Sequence, residues 1–375
     1  MFQRVIIVEK DSADIEKIST SLHDSKDFNI VATFDNVGAA LGQSNVFRPD
    51  VFLIDVDSDE NREMIPAFVD IFPKSLILGM LSKWDSKIAE KCTVFGAFGC
   101  ILKSFNPEEL KDSISLYQLR GKPEITRTFA VFSPKGRSGK TTFITMLALS
   151  LAKKSGESVA IIDADLQFGD VAIFFDVEPV HTVVEAARDV NLLSPISLSP
   201  YFLPITNNLK LLCSPTKPEY AELVDFDKLI DVIRMASSLY RYILLDLPAG
   251  MSDLTFNICE ISDTTFILGM LNTGLEVNHI KKSLSIFKDL AAEGKNIHVI
   301  FSRVNPCTEQ ERIKLSMEIG RPVTLILPND YSVVSEANRG QMLEELESTT
   351  TVYKKINEFA DILIQNRQKE LDLVK

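Results

Sequence analysis

Short, fully apolar runs alternate with amphipathic stretches along nearly the whole chain. The first third contains RVIIVE, DVFLID, SLILGM and GCILK, and from residue 128 onward come TFAVFS, VAIIDAD, YILLDL, TTFILGM, IHVIFSRV and TLILP. Apolar, β-branched runs without polar alternation read as strands covered on both faces, the signature of parallel sheets flanked by helices. The pattern occurs twice, so the predicted fold class is α/β with two doubly wound domains. The break falls at LRGKPEITR, residues 119–127, where a helix ends in Gly121, a proline follows and polar residues lead into the next strand. This gives a first domain over 1–120, a linker over 121–127 and a second domain over 128–375. The Ser- and Pro-rich stretch from about Asn191 to Asn208 is expected to lack fixed structure.

Composition supports this plan. A chain of 375 residues can bury two cores, and 45% hydrophobic with 25% charged residues is a globular balance. No stretch approaches the ~18 uninterrupted apolar residues of a membrane-spanning helix. MFQRVIIVEKD carries an apolar run too short for a signal peptide, and a cytoplasmic protein is expected. Five scattered cysteines lack metal or disulfide spacing and are expected to be reduced and mostly buried. The net charge of −12 disfavours nucleic acid and anionic membranes. No specific nucleic acid is expected, and membrane association is at most peripheral, through partners.

SPKGRSGKTTF, residues 133–143, lies between a strand, TFAVFS, and a helix, TTFITMLALSLAKKSG. Backbone N–H groups and a helix N-terminus face an anion there, Lys140 can reach the β- and γ-phosphates, and the Thr141 hydroxyl can ligate Mg2+. Gly136, Ser138, Gly139 and Thr142 complete the cradle. A lysine before the first glycine, Lys135, is not needed to hold phosphates from within.

That second lysine makes the loop resemble the deviant Walker A sequence, KGGxGKTT, of the MinD/ParA superfamily. The resemblance implies a P-loop, mostly parallel sheet and an ATP-sandwiched homodimer in which Lys135 reaches the partner's phosphates. It also places VAIIDADLQFGDV as a strand ending in Asp163 and Asp165, acids that organise Mg2+ and the attacking water, with Asp165 positioning the water. RYILLDLPAG would end a Walker B strand at Asp246, holding Mg2+, with Pro248, Ala249 and Gly250 as a γ-phosphate sensor. HVIFSRVNP and LILPND resemble the base-binding segments, with Asn305, Pro328 and Asp330 near the adenine. Plain Asn-Pro and Pro-Asn-Asp turns are the alternative for these two. No NKxD is present for guanine, which favours ATP. Arg137 stands where the superfamily has glycine. Glycine permits positive φ and close backbone approach, so the arginine either adds charge at the γ-phosphate or holds two subunits apart. Slow turnover with binding retained is the expectation.

The first domain resembles a response-regulator receiver of flavodoxin-like topology. Asp55, ending the third strand in RPDVFLIDVD, takes the phosphoacceptor place, Ser82 follows the fourth strand and Lys103 the fifth. The receiver's acidic pair falls on Glu9 and Lys10, Asp11 is the adjacent acid, and the usual proline after the lysine is Ser104. An atypical receiver acting as a dimerisation or docking module is expected, with a phosphorylated switch as the alternative.

Together, DADLQFGDV, YRYILLDLPAG and EANRGQML make the chain similar to the TadZ/CpaE family of pilus-assembly ATPases. The resemblance implies a localisation factor, at the cell pole or inner membrane face, that works with other pilus-assembly and secretion proteins of a type IV-like (Flp/Tad) system. Rival readings are a ParA-type DNA-segregation ATPase, a phosphorylation-controlled regulator and a MinD-like membrane cycle. Against the last, Val352, Ile356, Phe359 and Leu363 form a stripe expected to pack on the chain's own sheet, because the tail after it lacks aromatic anchors and net positive charge.

Overall fold

The computed structural model describes residues 2–374 apart from 24, 121–125, 272, 273, 289, 291–294, 306 and 331–349, with backbone alone for 117–120, 274 and 368–374. EANRGQML falls outside the described residues. The chain divides into two compact units. Unit 1 is Met1–Ile125 with two short later segments, Asp189–Pro200 and Arg234–Leu239; unit 2 is Thr126–Arg188, Tyr201–Ile233 and Tyr240–Lys375. No sequence pattern marks the two later segments as belonging with unit 1.

In unit 1, strands β1 (Gln3–Val8), β2 (Phe28–Phe34), β3 (Val51–Asp55), β4 (Leu76–Leu81) and β5 (Gly99–Leu102) form a parallel sheet of order β2-β1-β3-β4-β5. Strand order reverses at β1, so the ends of β1 and β3 flank the crevice where doubly wound sheets place their chemistry. The central strands β3 and β4 are buried throughout, as their apolar runs require, and the edge strand β2 is buried only at Phe28.

In unit 2, β6 (Arg127–Ser133), β7 (Val159–Asp163), β8 (Leu203–Pro204), β9 (Leu209–Leu212), β10 (Tyr242–Ala249), β11 (Thr264–Met270), β12 (Asn296–Val304) and β13 (Val323–Pro328) run in the order β13-β12-β11-β6-β10-β7-β9-β8. Among the described residues only the β8–β9 pair of this sheet is antiparallel. The helix Lys140–Ser155 after β6 is apolar all round and correspondingly buried from Phe143 to Ala152. Its outer face is covered by the helix Thr351–Val374, whose Val352, Ile356, Phe359 and Ala360 join one core cluster with Phe143 and Phe266, with Leu363 packed against it. The predicted stripe is therefore a core face.

The stretch from Asn191 to Asn208 is ordered structure, which corrects the expectation. Ser194 and Ser197 form a capping box for the helix Pro195–Leu198, and Pro195 occupies the first helical turn, where its missing N–H costs nothing. Leu198 and Phe202 are buried. The Ser and Pro content that suggested disorder is capping and turn chemistry. Cys92, Cys100, Cys213 and Cys259 are buried free thiols and Cys307 is half-buried. Among the described residues no helix is long and apolar enough to cross a membrane.

Candidate functional site

The loop between β6 and the helix Lys140–Ser155 is held from three sides. Ser133 Oγ donates to the Lys135 carbonyl at 2.7 Å, and Gly250 N–H donates to the Ser133 carbonyl at 2.9 Å. Ser302 Oγ, on β12, donates to the Ser138 carbonyl. A Cβ on Gly136 would lie 3.9 Å from that of Ala249, so the DLPAG turn stands beside the loop. Gly139 is left-handed at φ 82° and Arg137 adopts the same region at φ 63°. The arginine therefore keeps the glycine conformation, at a cost of about 1–2 kcal/mol for a side chain there. Lys135, Gly136 and Arg137 are exposed, whereas Ser138 and Lys140 are buried.

Directly under the loop, Thr141 Oγ1 donates to Asp246 Oδ2 at 2.8 Å. Asp246 is 2% exposed, and its Oδ1 has no hydrogen-bond partner; the buried Ser138 Oγ is also without one. Burial pushes the Asp246 carboxyl up to about 6 against the opposing pull of the Lys140 ammonium and the Thr141 hydroxyl. A hydroxyl and a carboxylate with a spare buried oxygen are hard donors, and Mg2+ is commonly held by one or two such groups, with water and substrate phosphate filling its remaining positions. The residues fit such an ion.

Asp163 pairs with Asp246 across the β7–β10 register and is fully buried. Its carboxylate accepts from the Asp165 and Val171 backbone N–H groups, both at 3.2 Å. Burial, and then the Asp246 charge, push its pKa well up. Gly169 is wrapped over it: a Cβ there would meet Asp163 Oδ2 at 2.4 Å and Ser214 Oγ at 2.3 Å. The DADLQFGDV stretch thus closes on Asp163, with Asp165 half-buried and Phe168 73% exposed at its rim.

Asn305 and Pro328 lie together, lining a cleft of about 520 Å³ with Thr324, Lys355 and Phe359. Asp330 is half-buried nearby in sequence but is not part of that lining, and no residue of 133–142 lines it either. The link to the loop is Ser302, three residues before Asn305, a contact that sequence reasoning missed because a serine at a strand end carries no distinguishing pattern.

In unit 1 the Lys103 ammonium sits 2.8 Å from Asp55 Oδ1 and 2.7 Å from Glu9 Oε2, with Asp57 Oδ2 at 3.4 Å and Asp14 Oδ2 at 3.5 Å. Burial alone would lower its pKa, but the hydrogen bonds it donates to Asp55 and Glu9 reverse this and raise it above the usual lysine value. Ser82 Oγ donates to Asp57 at 2.6 Å rather than to Asp55. Asp11 donates its backbone N–H to Glu9 Oε1 at 3.0 Å while its carboxylate accepts from the Ala13 N–H, and Lys10 is exposed. Among the described residues no group of three or more acids, His or Cys is arranged to hold a metal. Asp14 and Asp57 were not anticipated; the i+5 spacing from Glu9 and the two-residue step past a strand end give no local signal.

Residues 129–343, more than half the chain, match the family described as the CobQ/CobB/MinD/ParA nucleotide binding domain. The septum site-determining protein MinD of Synechocystis sp. is 25% identical over 228 residues, 58% of this chain and 82% of that protein. The MinD of Helicobacter pylori is 24% identical over 234 residues, 56% and 81% respectively. Among solved structures, a ParA family ATPase from Chlorobium tepidum superposes with a TM-score of 0.57 at 22% identity, covering 63% of this chain and 98% of that one. MinD from Pyrococcus horikoshii, complexed with Mg-ADP, gives 0.55 at 20% identity, covering 64% and 96%. The solved structures share the fold of unit 2, and the match over residues 129–343 places the chain in the CobQ/CobB/MinD/ParA nucleotide-binding domain family.

Proposed function

We propose that the protein binds ATP with Mg2+, hydrolyses it slowly as a homodimer, and serves as a localisation and assembly factor for a type IV-like (Flp/Tad) pilus secretion system. The observation that carries the nucleotide reading is the Thr141–Asp246 pair with its unpartnered buried oxygen directly under a glycine loop at a helix N-terminus. In this reading Lys140 takes the β- and γ-phosphates and the loop N–H groups take the rest. Thr141 and Asp246 hold Mg2+, which supplies charge neutralisation at the phosphates. Asp163 fixes the strand end so that Asp165, half-buried, can orient water. Lys135, exposed on the loop, is free to cross to a partner subunit. Asn305 and Pro328 receive the base. The Mg-ADP of the Pyrococcus horikoshii relative supports this choice of ligand.

The pilus role rests on the TadZ/CpaE resemblance. DADLQFGDV closing on Asp163 through Gly169, and a five-stranded head of order β2-β1-β3-β4-β5, suit that reading. The head, residues 1–120, acts as a docking or dimerisation module: Lys103 already neutralises Asp55, and the acids around it are not arranged for a metal. A MinD/ParA-type positioning role is the second reading, favoured by the septum-site relatives. Sedimentation of the full chain with and without ATP and Mg2+ tests the switch. ATP should drive dimerisation, Lys135→Ala should abolish it with binding retained, and Lys140→Ala should lose binding; a dimer indifferent to nucleotide refutes it. Deleting the gene should remove Flp-type pili with septum placement intact, and the opposite outcome selects the second reading.

A further inference from the structure

Three cations, Lys135, Arg137 and Lys140, stand within six residues of the loop. Lys140 is buried beside Asp246, which feels its charge. Lys135 and Arg137 are exposed, and among the described residues their side chains make no hydrogen bond or ion pair. Both cations are therefore open to an anion seated on the loop.

Arg137 also holds a left-handed backbone at φ 63° where the superfamily pattern has glycine. The loop has not relaxed to relieve this strain. It is fixed on either side, the Gly250 N–H donating to the Ser133 carbonyl and the Ser302 hydroxyl to the Ser138 carbonyl. Strain that survives in a clamped loop points to a use for the side chain that causes it. Two buried atoms without partners, Ser138 Oγ and Asp246 Oδ1, independently mark a ligand place at the same loop.

We infer that Arg137 is a phosphate ligand acting within its own subunit. Its guanidinium donates to non-bridging oxygens of a nucleoside di- or triphosphate seated on the loop, so that one chain presents both a planar fork and the Lys140 point charge. The consequence is tight nucleotide retention, which needs no partner subunit. This rests on the nucleotide reading of the loop, and the test separates the two.

A fluorescent ADP analogue with Mg2+ is titrated into the full chain, ADP being chosen so that ATP-driven association does not contribute. Arg137→Gly should weaken binding by at least about tenfold, the size of one charge-assisted contact, and flatten its salt dependence. Arg137→Lys should keep the salt dependence with a smaller loss. Arg137→Gln, which keeps the shape without the charge, should behave like Arg137→Gly. Equal or tighter binding by Arg137→Gly or Arg137→Gln, with Lys140→Ala still defective, overturns the inference and leaves the nucleotide site standing. Wild-type binding by Lys140→Ala overturns the site reading and this inference with it.

Discussion

Asp246→Asn should stabilise the ligand-free protein at alkaline pH while destroying the proposed Mg2+ site. Asp246 is 2% exposed, and burial lifts its pKa from 3.8 to about 6. A carboxyl whose folded pKa is raised favours folding while protonated. That contribution is complete below about pH 4 and is lost as pH rises through about 6. At pH 8 the folded chain therefore carries an ionised Asp246 at a cost of roughly two pKa units, about 3 kcal/mol. Asparagine is uncharged, nearly isosteric, and keeps an oxygen to accept from Thr141 Oγ1. Its advantage should be about 2–3 kcal/mol at pH 8 and vanish near pH 4. Urea unfolding by far-UV circular dichroism, free of metal and nucleotide, measures this. Trp84, the single tryptophan, lies in unit 1, so its fluorescence identifies that unit's transition and leaves the other to unit 2. A variant no more stable than wild type at pH 8, or one whose advantage persists unchanged at pH 4, would refute the burial argument. Adding Mg2+ and ATP should invert the order, stabilising wild type alone.

Three further outcomes follow from charge pairing and packing. Lys103→Met leaves Asp55 and Glu9 buried without their cation, which should cost unit 1 about 3–5 kcal/mol, read as an earlier urea midpoint in Trp84 fluorescence and partly recovered by acidification. Gly169→Ala places a Cβ inside contact distance of Asp163 and Ser214 and should lower unit 2 stability by about 1–3 kcal/mol in the same titration followed by circular dichroism. Gly42→Ala, with open space around its Cβ, should instead raise unit 1 stability by about 0.5–1 kcal/mol.

The strands that carry the chemistry were legible because they are apolar on both faces: VFLID, VAIID and YILLD are each buried end to end up to the acid that finishes them. The loop was legible because its residue types answer to a phosphate. What escaped were contacts between sequence-distant segments. Ser302 on Ser138, Asp57 on Ser82 and Gly169 on Asp163 are each set by how two elements meet, and none leaves a periodic trace in its own segment. The Asn191–Asn208 stretch was misread because composition was weighed without position: Ser194 and Pro195 are helix-start residues as well as loop formers. Arg137 was visible as a departure, but its retained φ follows from the clamps on either side of the loop, which only the fold supplies.

The cover that the helix Thr351–Val374 places over the helix Lys140–Ser155 bears on how the chain is born. Lys154 pairs with Asp361 across 207 positions of sequence, and Phe359 lies 6.4 Å from Phe143 between ring centroids. A ribosome releases residues at about 5–20 per second, so the phosphate-loop helix emerges some ten to forty seconds before its lid. During that interval its apolar outer face is open to water, while unit 1, made first apart from its two short later segments, has most of its strands and core already in hand. Nucleotide-binding competence is therefore a property acquired late in synthesis, and this uncovered helix is the surface on which a nascent-chain chaperone would act.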